Sequence, residues 1–213
     1  MKIYLKRYAR SLSTVVIVIL FSTSLWQLAT AGWIQGKALI AQQLLMHSWE
    51  RTLKHENEDN KQEIYKPTIY KPWPWADTWP VAKLIVPQHD IEQIILAGDN
   101  GSSLAFGPGY SLASASPNTQ GLTLISAHRD THFKFIKDLK INEMIYLQSA
   151  DKTIPYQIYG FEIVDSKTYN LAPSPGKQTL VLATCYPFDA VFQGGSLRYL
   201  VYASVADIQH AES

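Results

Sequence analysis

The spacing of hydrophobic and polar residues changes along the chain, and each spacing predicts a different element. Between Ser13 and Ile34 no Asp, Glu, Lys, Arg or His interrupts a run rich in Val, Ile, Leu and Phe. Such a run is long enough to cross the roughly 30 Å hydrocarbon core of a bilayer as a helix. We therefore expect a transmembrane anchor at residues 13–34 and a cytoplasmic N-terminus at residues 1–12.

Basic residues precede this apolar run, namely Lys2, Lys6, Arg7 and Arg10. Positive charge on the N-terminal flank holds that end in the cytoplasm and sends the rest of the chain across the membrane. The small residues at 29–31 (Ala-Thr-Ala) resemble a signal-peptidase site, so a cleaved signal peptide is the alternative. We favour a retained anchor because the apolar run is long for a signal peptide and an amphipathic segment follows it directly.

That amphipathic segment runs from Lys37 to about Lys54, with apolar residues three or four apart at Ala38, Ala41, Leu45 and Trp49. The stretch from His55 to Pro72 is charged and then interrupted by prolines, which is typical of a linker. We predict an amphipathic helix and linker at residues 35–72 and a domain at residues 73–210. We expect the aromatic residues at its start to pack on the domain rather than form a binding lip; they are Trp73, Trp75 and Trp79.

Beyond Pro80 the pattern becomes short apolar, β-branched or aromatic runs separated by Gly, Pro, Asn and Asp. This pattern is typical of an antiparallel sandwich or barrel. A short helix is expected at Phe133–Leu139, and turns are expected at residues 107–109 and 117–121. The expected strands are Val81–Val86, Gln93–Ala97, Leu122–Ala127, Met144–Gln148, Ile154–Val164, Thr179–Thr184 and Tyr199–Val205.

The net charge, the motifs that are absent and the cysteine count argue against several classes of function. Lys and Arg total 19 and Asp and Glu total 18, so the net charge of +1 offers no strong field for nucleic acid. The sequence contains no phosphate loop and no dinucleotide-binding fingerprint. The single cysteine excludes an intramolecular disulfide and a multi-cysteine zinc site.

That cysteine, Cys185, ends a strand-like run and precedes Tyr186 and Pro187. A lone cysteine after an apolar strand is commonly an inert, packed thiol. An unpaired thiol outside the cytoplasm is exposed to oxidation, however, so one that is kept there is a candidate for reactive chemistry. Cys185 is therefore our candidate nucleophile, with the inert thiol as the alternative.

A nucleophilic cysteine needs a basic or cationic neighbour. His128 follows another strand-like run, so two strand ends could bring its ring to the sulfur of Cys185. Arg198 opens the last expected strand, and its guanidinium can stabilise an oxyanion without losing its charge. A satisfied histidine and a solvated arginine are the alternatives.

His128 and His132 also stand four residues apart, as do the paired histidines of helical zinc proteases. That interpretation is weak because Arg129 stands where such a motif needs Glu and because a strand followed by a turn would not put both rings on one helical face. Asp130 can orient His128 or cap the helix that follows, and we expect capping.

Three separated segments together resemble the sortase family. They are the histidine segment at residues 126–133 (Ser-Ala-His-Arg-Asp-Thr-His-Phe), the strand end at residues 182–185 (Leu-Ala-Thr-Cys), and Arg198 downstream. The segments at residues 106–109 and 117–121 fit the branch found in Gram-negative bacteria. Asn118 and Val181 replace residues that many relatives have as Gly and Thr, and neither change touches the proposed nucleophile, base or oxyanion donor.

The resemblance implies an all-β fold, a sortase-like eight-stranded β-barrel with short helices, preceded by the N-terminal transmembrane helix. It implies a cysteine transpeptidase that cleaves a Leu-Pro-x-Thr-Gly-like sorting motif near the C-terminus of a secreted protein and transfers it to an unidentified amine acceptor. Cys185 would form the thioester, His128 would transfer protons, and Arg198 would bind the carbonyl oxygen, with no metal or cofactor.

The resemblance further implies a single-pass protein of the inner membrane whose catalytic domain faces the periplasm. Two other functions remain open from the sequence. One is a cysteine endopeptidase that uses water as the acceptor, and the other is a non-catalytic peptide-binding β-domain.

Overall fold

The computed structural model describes residues 2–59, 69–172, 176–190 and 194–206. Helix α1 (Lys2–Asp59) precedes eight strands and several short helices. The chain divides into two compact units, Met1–Gln42 and Gln43–Ser213. The described residues of the first unit are all helical, and the second unit contains the end of α1 and the strands.

Within α1, the segment Val15–Trp33 has a mean hydropathy of 1.8 and is long and apolar enough to cross a membrane. This confirms the predicted N-terminal apolar helix. The helix continues to Asp59, so residues 55–59, which we expected in the linker, are helical. The reason is that neither Gly nor Pro occurs between Lys37 and Asp59 to end the helix. The rest of the predicted linker, residues 60–68, lies outside the described residues.

Eight strands form a closed barrel, as predicted, in the order β1-β2-β3-β4-β7-β8-β6-β5. The pairs β2–β3 and β4–β7 are parallel, and the other pairs are antiparallel. The strands are β1 (Pro80–Val86), β2 (Ile91–Ala97), β3 (Gly109–Tyr110), β4 (Gly121–Ser126), β5 (Met144–Gln148), β6 (Thr153–Asp165), β7 (Gln178–Cys185) and β8 (Leu197–Val205).

The sequence pattern did not predict β3, because a two-residue strand has no alternation to detect. Gly109, which we expected in a turn, belongs to this strand. A Cβ atom on Gly109 would lie 2.3 Å from the carbonyl oxygen of Gly98, so only glycine permits this approach. The short helices are α2 (Gly101–Leu104) and two 3₁₀ helices, Pro87–His89 and Lys134–Lys137, the second of which lies within the predicted helix Phe133–Leu139.

All eight strands contribute side chains to one buried cluster inside the barrel. Side chains alternate along a strand, so Leu180 and Leu182 of β7 point inward. Val181 and Ala183 point outward and form a second buried cluster on the outer wall. The other buried members of that outer cluster are Leu122, Val164 and Leu200.

Two apolar residues of the α1 segment that belongs to the second unit, Leu45 and Trp49, pack with Ile94 and Leu96 of β2. Trp73 packs edge-on against Phe106 at a ring-centroid distance of 5.1 Å, as the packing hypothesis predicted. The same hypothesis is wrong for Trp75, which is 79% exposed. Large aromatic residues usually serve burial, and this one is an exception.

Asn118 fixes the turn before β4. Its φ angle is +61°, in the left-handed region, and its side chain is fully buried. Its amide donates to the carbonyl oxygen of Leu147 and to Oγ of Ser149, both at 2.8 Å. Its Oδ1 accepts from the hydroxyl of Tyr156 at 3.3 Å. Asn118 therefore ties this turn to β5 and β6, a role that glycine at the same position could not perform.

We predict that Asn118→Ala lowers the free energy of unfolding by about 2–4 kcal/mol, because buried groups lose their partners and alanine is strained at positive φ. Asn118→Gly removes the strain alone and should recover about 1 kcal/mol of this loss. Asn142, which is exposed with a φ of +71°, is the matched control, and Asn142→Gly should change stability little. Urea unfolding measures all three; equal stability of the Asn118→Ala variant and the parent would contradict the prediction.

Candidate active site

The segment that carries His128 is anchored to β7 just beyond the end of β4. The amide of Ala127 donates to the carbonyl oxygen of Ala183 at 3.2 Å, which extends the parallel pairing by one residue. Oγ1 of Thr184, which is buried, donates to the carbonyl oxygen of Ala127 at 2.6 Å. The amide of Phe133 donates to the carbonyl oxygen of His128 at 3.0 Å and closes the turn. His128 is thus exposed at the start of a turn whose base is fixed.

Cys185 is the last residue of β7 and is half-buried. Backbone pairing with β8 continues one step further, because the amide of Tyr186 donates to the carbonyl oxygen of Leu197 at 3.0 Å. By alternation along β7, Cys185 shares the outer face with Val181 and Ala183. The thiol therefore lies on the outer wall at the end of the barrel, and not inside the barrel.

One cavity of about 420 Å³ contains both candidate residues. His128 and Cys185 both line it, so two chain segments 57 residues apart meet at one surface. It also includes residues that follow each of them in sequence, and glycines that precede β8. These other lining residues are Arg129, Asp130, Thr131, Tyr186, Pro187, Ala190, Gly194 and Gly195.

Arg198 lies directly opposite Cys185 in the antiparallel register of β7 and β8. Residues opposite each other in such a pair point to the same face of the sheet. Its guanidinium Nη1 donates to the carbonyl oxygens of Gly195 at 2.8 Å and Leu197 at 2.9 Å. Arg198 is not among the residues that line the cavity, although its partner Gly195 is. Its backbone is therefore beside the thiol while its guanidinium is turned towards the loop before β8.

His132 lies on the same turn as His128 and is half-buried. Its carbonyl oxygen accepts from Nε2 of Gln93 at 2.8 Å, which fixes the turn to β2. Burial, and secondly the charge of His128, lower the pKa of His132 below its ordinary value. The surroundings of His132 therefore disfavour a positive charge on its imidazole.

Arg129 is a residue of this site that sequence reasoning did not identify. Its side chain is 6% exposed, and it donates to the carbonyl oxygens of Pro187 and Ala190, the latter at 2.6 Å. It therefore fixes the loop that follows Cys185 to the turn that carries His128. The signal available in the sequence was a charged residue inside a segment otherwise explained by His128, which does not reveal a partner almost sixty residues away.

The predicted capping role of Asp130 is wrong. The 3₁₀ helix Lys134–Lys137 has no side-chain hydrogen bond at its N-cap, Phe133. Oδ1 of Asp130 instead accepts from Nε of Arg129 at 3.3 Å. The carboxylate pairs with this buried cation because the guanidinium has a third donor direction left after it binds the two carbonyls.

The sequence and the fold are similar to those of known proteins. The pattern that defines the Sortase domain matches residues 84–206. The chain belongs to the sortase family. It is similar to Sortase D of Bacillus subtilis, strain 168, with 31% identity over 120 residues, 56% of this chain and 60% of that protein. The similarity thus spans less than two thirds of the relative's length.

Solved sortase structures share the fold. A Clostridium perfringens Sortase D5 transpeptidase has a TM-score of 0.59 at 18% identity and covers 78% of this chain and 98% of its own. Sortase A from Corynebacterium diphtheriae has a TM-score of 0.56 at 22% identity and covers 86% of this chain and 98% of its own. At these identities the likeness supports the barrel architecture alone.

We predict that Arg129→Met lowers the free energy of unfolding by about 2–4 kcal/mol, because it removes the charged donor that binds the half-buried carbonyl oxygens of Pro187 and Ala190. Arg129→Lys should lose less, because an ammonium can still bind one carbonyl. Lys140→Met is the control, since Lys140 is exposed. Urea unfolding should rank the variants in this order, and an unchanged Arg129→Met midpoint would show that the two hydrogen bonds do not stabilise the fold.

His132 predicts a pH dependence of stability. Its pKa is lowered in the folded protein, so the unfolded chain binds more protons as the pH falls below about 6.5. The free energy of unfolding should therefore decrease on acidification below that pH, and His132→Gln should make the decrease smaller. Urea midpoints between pH 7.5 and pH 5, with the exposed His47→Gln as control, measure this. An identical pH profile in the His132→Gln variant would refute it.

Proposed function

We propose that this chain is a membrane-anchored sortase, a cysteine transpeptidase that cleaves an LPxTG-like sorting motif of a secreted protein and transfers the new carboxyl terminus to an amine. The single observation that carries the proposal is the cavity that Cys185 and His128 share, with Arg198 opposite Cys185 in the β7–β8 register. The family membership supports it, because it makes a thiol at this strand end an expected nucleophile.

In the first half of the proposed reaction, the thiolate of Cys185 attacks the carbonyl carbon before the scissile bond. The tetrahedral intermediate then collapses, the carbon–nitrogen bond breaks, and protonated His128 donates its proton to the departing amine. The products are a thioester on Cys185 and a free amine. The step needs no oxidant or reductant, because acyl transfer changes no oxidation state.

In the second half, His128 takes a proton from the incoming amine as its nitrogen attacks the thioester carbon. The carbon–sulfur bond breaks, the thiolate is regenerated, and a new amide is released. Arg198 stabilises the oxyanion in both halves. For this it exchanges the carbonyl oxygens of Gly195 and Leu197 for the substrate oxygen, a change of partner that its flexible side chain allows.

The outer wall of the barrel has an apolar surface that suits the apolar residues of the proposed sorting motif. Outward residues of β4, β7 and β8 form an apolar cluster, and Leu124 and Leu171 pack against it while remaining partly exposed. A cavity of about 450 Å³ lies beside Leu122, Leu124 and Leu171. Because β4 and β7 are parallel, a peptide that extends along them from this cavity would reach Cys185 at their C-terminal ends. Leucine and proline side chains fit such a surface.

We further propose on which side of the membrane the barrel lies. Val15–Trp33 is the anchor, and the basic residues before it hold the N-terminus in the cytoplasm. The barrel then faces the extracytoplasmic side, which is the periplasm if the chain belongs to the Gram-negative branch. The segments at residues 106–109 and 117–121 support that branch.

Intact-mass measurement of the full chain in detergent, mixed with an LPxTG-containing peptide, tests the proposal. We expect a covalent adduct on Cys185 whose mass equals the acyl half of the peptide, and conversion to an amide product when a glycine peptide is added. Cys185→Ala should form no adduct. His128→Gln and Arg198→Lys should slow adduct formation by about 10²–10⁴-fold, in the range of lost acid–base or oxyanion groups.

His47→Gln is the matched control for His128→Gln, because His47 is exposed on α1. A product that carries water and never the added amine would replace the transpeptidase with an endopeptidase. Peptide binding without any adduct in the unmutated protein would make the chain a peptide-binding β-domain and refute the enzyme.

A further inference from the structure

A second cavity, of about 290 Å³, adjoins the cavity of Cys185 and His128. Arg129 and Asp130 line both cavities, so a ligand that occupies the second one lies next to the proposed chemistry. The remaining lining residues are Lys134, Lys137 and Phe188. This second cavity is called the basic cavity below.

The lining of the basic cavity is strongly positive. It has three cations and one carboxylate, a formal charge of +2, in a chain whose total formal charge is +1. The hydrogen bonds of Arg129 to two carbonyl oxygens do not neutralise its charge, and among the described residues only Asp130 does so in part. The charge is therefore local and does not reflect a generally basic surface.

Two of the three cations are available for a ligand. Lys134 and Lys137 begin and end one 3₁₀ helix, and residues three apart in such a helix eclipse each other. Both ammonium groups therefore project from the same side. In the part of the chain that the structure describes, neither lysine forms an ion pair. Phe188 provides an apolar wall beside them.

The position of the basic cavity indicates which part of a substrate it contacts. The apolar cavity beside Leu122 and Leu171 shares no lining residue with the cavity of Cys185 and His128, whereas the basic cavity shares two. Residues of the turn and the helix that follow His128 also line the basic cavity, and His128 is the residue proposed to exchange protons with the amine. With the acyl side of the peptide on the apolar outer wall, as proposed above, the basic cavity lies on the amine side of the scissile bond.

We propose that the basic cavity binds a carboxylate carried by the amine-side partner, on the acceptor or on the departing peptide. This inference rests on the proposed transpeptidase function. The departing and incoming amines occupy the same place beside His128, so one anion site serves either source. Lys134 and Lys137 contact the carboxylate directly, and the buried charge of Arg129 strengthens the attraction.

The test compares Gly-Gly-Glu-amide with Gly-Gly-Gln-amide as acceptors for the preformed thioester of the full chain. We expect the KM for the glutamate acceptor to be lower by about fivefold, the effect of a partly exposed ion pair. The difference should shrink at high salt and disappear in the Lys134→Met, Lys137→Met double variant. Lys140→Met, an exposed lysine after the same helix, should retain it.

A parallel comparison distinguishes the two sources. Sorting peptides with Glu or Gln as the third residue after the scissile bond, the position that Glu has in the acceptor, are compared in thioester formation. Discrimination in thioester formation assigns the carboxylate to the departing peptide, and discrimination in aminolysis assigns it to the acceptor. Absence of discrimination in both steps, or discrimination that survives in the double variant, overturns the proposal.

A measurement that needs no turnover distinguishes a failure of the anion site from a failure of the proposed transpeptidase function. Glutarate should slow acetylation of Lys134 and Lys137 by acetic anhydride, with Lys140 as the internal reference, and glutaramide should not. Protection without thioester formation would retain the anion site and reject the transpeptidase. Equal labelling with and without glutarate would reject the anion site itself.

Discussion

The pairing of β7 with β4 and β8 determines where the residues of the candidate active site lie. Parallel pairing with β4 brings the C-terminal ends of both strands to one edge of the barrel, so His128 follows one strand where Cys185 ends the other. Antiparallel pairing with β8 places Arg198 opposite Cys185 at the same edge. A shift of one residue in either register would turn the thiol to the other face of the sheet. The buried inward residues Leu180 and Leu182 make such a shift costly, so the core fixes the geometry of the outer face.

Short-range patterns predicted most of the barrel. Seven strands have a clear apolar or alternating pattern, and Pro187 and the glycines before β8 marked where strands end and begin. What could not be predicted depends on contacts distant in sequence. The two-residue strand β3 exists because Gly109 allows close backbone contact with Gly98. The hydrogen bonds of Arg129 join segments that only the closed barrel brings together.

The same distinction between short-range patterns and contacts distant in sequence applies to the candidate site. Cys185 and His128 could be singled out because each stands at the end of an apolar run, and the structure places both at one cavity. The orientation of Arg198 could not be predicted, because its long side chain can reach several acceptors and the loop before β8 determines which of them are nearby. The two sides of the site then differ in chemistry: an apolar wall follows β4 and β7, while cations follow His128. We expect this asymmetry to give a bound peptide a preferred direction across the thiol.

The proposed mechanism requires that the sulfur of Cys185, the imidazole of His128 and the guanidinium of Arg198 act on one carbonyl group. A crystal structure of the full chain, with an LPxT peptide analogue attached covalently to Cys185, tests this most directly. We expect that the Arg198 guanidinium has left the carbonyl oxygens of Gly195 and Leu197 and lies within about 3.2 Å of the analogue's carbonyl oxygen, with His128 on its amine side. An analogue oxygen contacted by neither residue, with Arg198 still bound to those two carbonyls, would contradict it.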